Sequence, residues 1–419
     1  MKVLLVGSGG REHAIVWKLK QSAKIEKIYC ASGNAGIGED AQCVDIGVME
    51  FDKLIAFVKE KGIDFTIIGM DDPLVGGIVD AFEKEGLKVF GPRKNAAIIE
   101  GSKSFSKDLM KKYNIPTAKY EAFNEYEKAK GYVLTQEMPV VIKADGLALG
   151  KGVIICNTKE EAILALDDIM VDKKFGDSGN AVVIEEFLVG PEVSVLSFCD
   201  GKTVVPMVSA QDHKRALDGD KGLNTGGMGT FSPSRIYTKE LADKCMEEIF
   251  VPTLNAMAKE GREFKGILYF GLMLTKDGMK VIEYNARFGD PETQVVLPRL
   301  KTDLIDIMES CVEGTLETID VQWHDNAAVC VVEASGGYPE SYEKGFAIEG
   351  LEKAKEKDNI VVFHAGTKLV DGRFVTNGGR VLGITGIGKD LDGAIKIAYE
   401  GVDIVGFEKK HFRHDIGIK

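Results

Sequence analysis

The 419-residue chain has no surplus of positive charge: 53 Lys and Arg face 65 Asp and Glu, for a net charge of −12. A nucleic-acid binder needs spare cations against backbone phosphates, so a nucleic-acid partner is not expected. Long apolar runs are missing as well. Nothing approaches the ~18 residues of a membrane span, so no membrane partner is expected. The apolar run Val3–Val6 in "MKVLLVGSGG" is too short for the core of a secretion signal. Cysteine is sparse. The seven are scattered, odd in number and never in CxxC spacing. That argues against a disulfide framework or a thiolate zinc site and points to a reducing, cytoplasmic setting. Low-complexity linkers and short-period repeats are absent too.

What is present is ordinary globular material, 44% hydrophobic and 28% charged. At about 100–200 residues per domain, the length suggests two to four domains. Over the first 90 residues, strand runs alternate with helical patterns. The strands read "KVLLV", "KIYCA", "FTIIG" and "LKVFG", and the helices "FDKLIAFVKEKG" and "LVGGIVDAFEKEG". This is βαβ repetition, which implies an open parallel α/β sheet with ligands at the C-terminal strand ends. A helix is expected from about Asn95 to Tyr113. Beyond it, "PVVIKADG", "GVIIC", "AVVIEEFLVG" and "VSVLSFCDG" read as strands joined by short connections, hence antiparallel sheets. "GILYFGLMLT" and "MKVIEYN" flank "KDG", a hairpin signal. A final α+β segment follows Asp325.

Two glycine-rich stretches carry candidate chemistry. "LLVGSGGREHA" has Gly7 and Gly9 of a G-x-G-x-x-G fingerprint, but Glu12 stands at the third glycine. No acid ends the second strand either, so a dinucleotide site is disfavoured against a phosphate seat or a plain tight turn. "VVIKADGLALGKGVIIC" looks like a Walker A loop and fails it three times. Three residues rather than four separate Gly146 from Gly150, Gly152 follows Lys151 where a hydroxyl is needed, and a β-branched run replaces the helix. The loop instead links two strands, as a glycine flap able to close over phosphates.

Acids and amides mark further positions. In "VIEEFLVGPE", an extended segment leaving a strand offers backbone groups to a flat base edge, with Glu192 seven residues after Glu185. In "VIEYNARFGDPE", strand alternation puts Glu283, Asn285 and Arg287 on one side. A carboxylate and an amide oxygen are hard ligands suited to Mg²⁺. An adjacent arginine suits the charge of a transferring phosphoryl group, though a surface Glu283–Arg287 ion pair is the plainer alternative. The long polar loop 209–233, with "QDHKR" and "NTGGMG", reads as a binding loop. His213 within it is not assigned a catalytic role.

Together, "GSGGREHA", "VIKADGLALGKGV", "VIEEFL", "QDHKR", "NTGGMG" and "NARFGDPETQ", in this order, resemble the ATP-grasp superfamily. The resemblance is to its branch that ligates glycine to 5-phosphoribosylamine with ATP, in purine biosynthesis. It implies an N-terminal α/β substrate-binding domain (1–101), a bipartite ATP-grasp module (102–325) with a flap subdomain at about 120–190, and a C-terminal α+β domain (326–419). It implies ATP and Mg²⁺ or Mn²⁺ as cofactors, with small-molecule substrates. Lys143 and Lys103 match phosphate-contacting lysines, and Gly146 and Gly150 belong to the flap. Glu185, Glu186, Phe187 and Leu188 match the adenine hinge, and Glu192 the ribose acid. Glu283 and Asn285 match metal ligands, and Arg287 the catalytic arginine with Lys143. Gly9 and Gly10 are assigned to the phosphate of phosphoribosylamine. Asp212, Asn224, Thr225, Gly226, Gly227 and Asp290 are assigned to the sugar and glycine. One departure stands out: Gly271 falls where many members carry another metal-binding acid. The rival readings are another carboxylate substrate such as bicarbonate, a dinucleotide oxidoreductase, and a non-catalytic nucleotide sensor.

Overall fold

The computed structural model describes residues 1–148 and 152–418. Its first unit is an open, wholly parallel sheet. The strands are β1 (Lys2–Gly7), β2 (Lys27–Ser32), β3 (Gln42–Val44), β4 (Phe65–Ile68) and β5 (Val89–Phe90), in the order β3-β2-β1-β4-β5. Val3 to Val6 are fully buried, as a strand covered on both faces requires. The strand order reverses at β1, where the loop into helix α1 (Gly10–Leu19) faces the rest of the molecule.

Two helices expected to be continuous are broken. The segment from Asn95 to Tyr113 forms Lys94–Gly101 and Lys103–Lys112. Ser102 between them is extended, and its hydroxyl accepts Phe105 N at 3.1 Å, capping the second helix. The segment from Leu74 to Gly86 breaks at Gly77, whose φ of +96° suits glycine.

The flap sheet holds β6 (Tyr120–Phe123), β7 (Val140–Ala144), β8 (Val153–Cys156) and β9 (Val182–Glu186), antiparallel in the order β6-β9-β7-β8. Ile142 and Ile184 pack under the helices Tyr126–Thr135 and Lys159–Leu166. Alternation turns Lys143 and Glu185 to the opposite face. The glycine stretch therefore lies between two paired strands, β7 and β8, and is followed by a strand where a P-loop needs a helix.

β10 (Glu192–Asp200) pairs with β11 (Val204–Pro206). The chain then leaves that sheet through β12 (Gln211–Asp212), the hairpin β13 (Arg215–Leu217) and β14 (Lys221–Asn224), and β15 (Gly229–Ser232). It returns with β16 (Lys265–Thr275) and β17 (Gly278–Asn285), giving the antiparallel order β11-β10-β16-β17 with the expected tight turn at Lys276–Asp277.

The C-terminal segment contributes β18 (Ala327–Ser335), β19 (Ile360–His364), the ribbon β20 (Thr367–Val370) and β21 (Arg373–Thr376), β22 (Arg380–Gly388) and β23 (Lys410–His411). Its sheet runs β12-β15-β18-β22-β19, so strands from the middle of the chain complete it. The helix Leu391–Ile404 covers one face. No helix among the described residues is long and apolar enough to cross a membrane.

Candidate active site

A cleft of about 900 Å³ opens between the flap sheet and the β10–β17 sheet. Lys143 on β7 reaches across it. Its Nζ lies 2.9 Å from Glu185 Oε1 and donates to the Ile282 carbonyl of β17 at 3.1 Å. Lys103, on the first turn of its helix, donates to the Gly146 carbonyl at 2.9 Å, at the root of the glycine hairpin. Burial lowers the Lys103 pKa, with Glu283 pulling the other way. Gly146 itself is packed under Ser178, which also donates to the Leu147 carbonyl at 2.6 Å. Gly150 and Lys151 lie outside the described residues.

β17 delivers the acidic side of the site. Glu283 faces the cleft, and burial, which disfavours its charge, is outweighed by Lys214, Lys143 and Lys103, so its pKa falls. Tyr284 alternates to the far face, buried against Phe270, with its hydroxyl 2.9 Å from Thr253 Oγ1. Hydrogen-bond chemistry orients the Asn285 amide nitrogen toward Glu100 Oε1 at 3.0 Å, turning its oxygen among donors. The Glu283–Arg287 ion pair does not form. Arg287 Nη2 lies 3.0 Å from Glu100 Oε1 and 3.8 Å from Asp71 Oδ2. Burial opposes its charge, but Glu100 and Asp71 raise its pKa above the usual value. Glu100 is pushed up to about 7 by burial, against the pull of Arg287.

Glu283 and Asn285 fit a divalent cation. Both are hard oxygen donors, and Mg²⁺ is commonly held by one or two protein groups with phosphate oxygens and water completing its shell. Among the described residues there is no cluster of three His, Cys, Asp or Glu able to hold a metal without such help. Gly271 faces Glu283 across the β16–β17 ladder, and a Cβ there would lie 3.0 Å from Glu283 Cγ. The missing acid leaves the room that Glu283 occupies.

The segment 185–188, expected on the adenine side, runs along the rim. Glu185 is buried, whereas Glu186 accepts Lys119 N at 3.0 Å, and Phe187 and Leu188 line the mouth. Glu192 opens β10, with its Oε2 3.0 Å from Lys214 Nζ. Lys214 Nζ also lies 3.7 Å from Glu283 Oε1 and so bridges the expected ribose acid and the expected metal acid. Burial works against its charge, but Glu192 and Glu283 raise its pKa well above the ordinary value. Next to it, burial and then Arg413 push the His213 pKa to about 4, leaving that ring neutral and unsuited to bind a proton near pH 7.

The polar loop and the C-terminal sheet close the far end. Burial, then the neighbouring Glu292, raise the Asp212 pKa well above the carboxylate range. Glu292 Oε1 accepts from Ser194 Oγ and Tyr269 Oη, both at 3.0 Å. A Cβ at Gly227 would meet Asp212 Oδ1 at 2.8 Å and Pro291 Cδ at 2.5 Å, so that glycine permits the approach. Thr225 N donates to the Lys214 carbonyl at 2.8 Å, and Asn224 pairs with Arg215. Arg380, from β22, lies 3.1 Å from Asp290 Oδ2 and donates to the Gly226 carbonyl at 2.6 Å. Gly226 N in turn donates to Tyr338 Oη at 3.1 Å.

At Gly9, beside Gly10 where a phosphate seat is expected, the turn packs against Glu12. Gly9 N donates to Glu12 Oε2 at 2.6 Å. Cβ atoms at Gly7, Gly9 and Gly69 would lie 2.5–2.8 Å from Glu12 side-chain atoms, and Arg11 Nε sits 2.6 Å from Glu12 Oε1. Asp290 Oδ1 is 3.8 Å from where a Gly10 Cβ would sit. Two carboxylates thus face a turn expected to hold an anion. These glycines make room for the Glu12 side chain.

The structure thus brings Lys103, Lys143, Glu185, Glu192, Asp212, Glu283, Asn285, Arg287 and Asp290 to one cleft. Sequence reasoning missed Lys107, Lys214, Glu100, Glu292 and Arg380. Of these, only Lys214 and Glu292 carried a local signal, inside "QDHKR" and "GDPE".

Comparison with known proteins covers the whole chain. Family models described as the phosphoribosylglycinamide synthetase N domain, ATP-grasp (A) domain and C domain match residues 1–100, 101–293 and 328–419. Phosphoribosylamine–glycine ligase of Halalkalibacterium halodurans is 53% identical, over 100% of this chain and 97% of its own. That of Caldanaerobacter subterraneus subsp. tengcongensis is 52% identical, over 99% of each. The crystal structure of phosphoribosylamine–glycine ligase from Thermotoga maritima superposes with a TM-score of 0.86 at 36% identity, over 99% of this chain and 100% of that one.

Proposed function

The chain belongs to the phosphoribosylglycinamide synthetase family, and from that premise we propose how its residues divide the work. The activity is ATP-dependent carbon–nitrogen ligation, joining glycine to 5-phosphoribosylamine to give glycinamide ribonucleotide, ADP and phosphate in purine biosynthesis. The observation that carries the division is the hydrogen bond from Lys143 to the Ile282 carbonyl. It brings a lysine of the flap sheet beside the acid Glu283 of the opposite sheet.

A carboxylate resists attack because its charge repels nucleophiles. In the first step a glycine carboxylate oxygen attacks the γ-phosphorus of ATP, and the bond to the ADP oxygen breaks. In the second, the ribosylamine nitrogen attacks the carbonyl of glycyl phosphate, loses a proton and expels phosphate. Phosphoryl transfer asks the protein mainly for positioning and charge neutralisation. Lys143 and Lys103 bind the ATP phosphates, and Arg287 stabilises the transferred phosphoryl group. The backbone of residues 185–188 holds adenine, and Glu192 holds the ribose. Gly146, with Gly150, belongs to a flap that excludes water from the acyl phosphate. Lys214 balances Glu192 and Glu283 in the cleft. Glu283 and Asn285 would hold Mg²⁺ or Mn²⁺, which supplies charge screening at the phosphates when bound. Asp212, Asn224, Thr225, Gly226, Gly227 and Asp290 receive glycine and the sugar. The division into residues 1–101, 102–325 and 326–419, and a cytoplasmic setting, belong to the same proposal.

The test is coupled ADP release with freshly made phosphoribosylamine. Turnover should need both glycine and the amine. Equal turnover with bicarbonate or another amino acid in place of glycine would overturn the assignment.

A further inference from the structure

The reading of the cleft as the ligation site leaves one feature without a role: the tail that follows β23. Lys214 is the last residue before the β13–β14 hairpin, whose ladder pairs Arg215 with Asn224 and Leu217 with Lys221. The hairpin's neck is closed by Thr225, whose N and Oγ1 both donate to the Lys214 carbonyl, at 2.8 and 2.9 Å. Beyond that neck, residues 411–415 grip the hairpin along its length. At its base, Arg413 Nη1 donates to the Arg215 carbonyl at 3.1 Å, and His411 Nε2 lies 2.7 Å from the Ala216 carbonyl. At its tip, Asp218 accepts His414 N at 2.8 Å and lies 3.0 Å from His414 Nδ1. Gly219 N donates to Asp415 Oδ2 at 2.8 Å, and Arg413 Nη2 lies 2.9 Å from Asp220 Oδ1.

Arg413 is the centre of this grip. Its side chain is fully enclosed, and Asp415 takes its Nε and Nη2 at 2.7 and 2.8 Å as a planar fork. Two carboxylates and a backbone carbonyl thus fix one guanidinium, and that guanidinium fixes the peptide next to Lys214. The chain on the other side of Lys214 is fixed independently. His213 N donates to the Gly229 carbonyl at 2.9 Å, and Asp212 pairs with Thr230 in the β12–β15 ladder. With its backbone held on both flanks, the stem of Lys214 starts from a fixed point, and Glu192 and Glu283 hold its far end. The observed placement is between Glu192 and Glu283, in the cleft.

We propose that Arg413 is a positioning residue: through the β13–β14 hairpin, the C-terminal tail sets where the Lys214 ammonium stands in the ligation site. Arg413 is not among the residues that line the cleft, and its effect passes through Lys214. This rests on the functional reading above.

Two variants of the full chain test it. Arg413→Lys keeps the charge and loses the fork. Asp415→Asn keeps the shape of the partner that holds Arg413 and takes away its charge, which loosens the fork, so it decides the matter if Arg413→Lys does not fold. Three quantities are read: thermal midpoint, steady-state constants for each substrate, and the rate at which an amine-acylating reagent labels Lys214, resolved by peptide mass spectrometry. A mispositioned catalytic group costs on the order of 10–100-fold in turnover, and a fall of that size in kcat is expected in a folded variant. Labelling of Lys214 should rise several-fold while Lys103 and Lys143 keep their wild-type rates. Unchanged kcat in a folded variant, or a fall in kcat with Lys214 labelling unaltered, overturns the proposal. The labelling needs no turnover, so an inactive wild-type chain would count against the ligase reading and not against the clamp.

Discussion

Glu185 lies between two lysines, its Oε1 2.9 Å from Lys143 Nζ and its Oε2 3.0 Å from Lys107 Nζ, with no more than 5% of any of the three side chains exposed. One carboxylate thus holds two ammonium groups from different elements, and Lys107 is tied further to Thr117 Oγ1 at 2.8 Å. Burial pulls the Lys107 pKa down to about 8 despite Glu185. Removing the shared anion strands both cations. Glu185→Gln is expected to destabilise the chain by about 3–5 kcal/mol, the usual cost of breaking a buried pair from one side. It should also raise KM for ATP, because Lys143 loses the contact that aims it. Urea denaturation with matched kinetics checks both. Stability unchanged to within about 0.5 kcal/mol, the range of ordinary surface changes, would refute the arrangement.

Lys143 and Glu283 predict the opposite split. Lys143→Ala leaves Glu185 its Lys107 partner, and Glu283→Ala removes an acid open to the cleft, so both variants should stay folded. Under the proposed division each removes charge aimed at the phosphates or their metal, and a loss of at least about 10²–10³-fold in kcat is expected. Substrate-dependent ADP release and circular dichroism measure the two sides. Full activity in either variant sinks its assignment.

Glu333, on β18, gives a pH dependence away from the cleft. Its side chain is fully buried, with Oε1 2.8 Å from Lys410 Nζ. Burial pushes its pKa up to about 7, against the pull of Lys410. An unfolded Glu titrates near 4.3. Between these values the folded chain keeps a proton that the unfolded chain releases, so the contribution of Glu333 to stability is full below about 4.3 and is lost as pH rises to 7. Gln cannot titrate. Wild-type stability relative to Glu333→Gln should therefore drop by on the order of 3 kcal/mol between pH 4.5 and 8, at about 1.36 kcal/mol per pKa unit. Urea midpoints at the two pH values measure it, and a constant difference would contradict the shift.

How far the sequence could be read followed from how local each signal was. Strand runs such as "KVLLV" and the β7–β8 hairpin were legible because apolar periodicity and loop spacing are local quantities. Glu283 and Asn285 were legible because alternation along a strand fixes their face. Glu100 and Arg380 were not, because each reaches the cleft from a distant element and only tertiary packing joins it to Arg287 or Asp290. The break at Ser102 was hidden because an N-cap inside an otherwise helical run depends on one hydroxyl. "GSGG" was ambiguous for a related reason. Glycines that admit an anion from outside and glycines that admit Glu12 from three residues on have the same spacing.

Gly271 offers a test in which an added ligand should do harm. A chain built for another metal-binding acid should tolerate one at this position, opposite Glu283 on the neighbouring strand. The geometry predicts otherwise. A Cβ at 271 would come within 3.0 Å of Glu283 Cγ, inside normal van der Waals contact, so Glu283 must shift. The β16–β17 ladder is irregular between Gly271 and Leu272, so the backbone there already departs from ideal pairing. Gly271→Ala adds the bulk alone and Gly271→Asp adds bulk and charge. Both should raise the Mg²⁺ concentration needed for half-maximal turnover, Asp at least as much as Ala, because a displaced Glu283 outweighs a new carboxylate crowded against it. Titrating activity with Mg²⁺ separates the cases. A lower Mg²⁺ requirement in Gly271→Asp than in the wild type would mean that the site accepts another acidic ligand, and that steric room for Glu283 is not what the glycine provides.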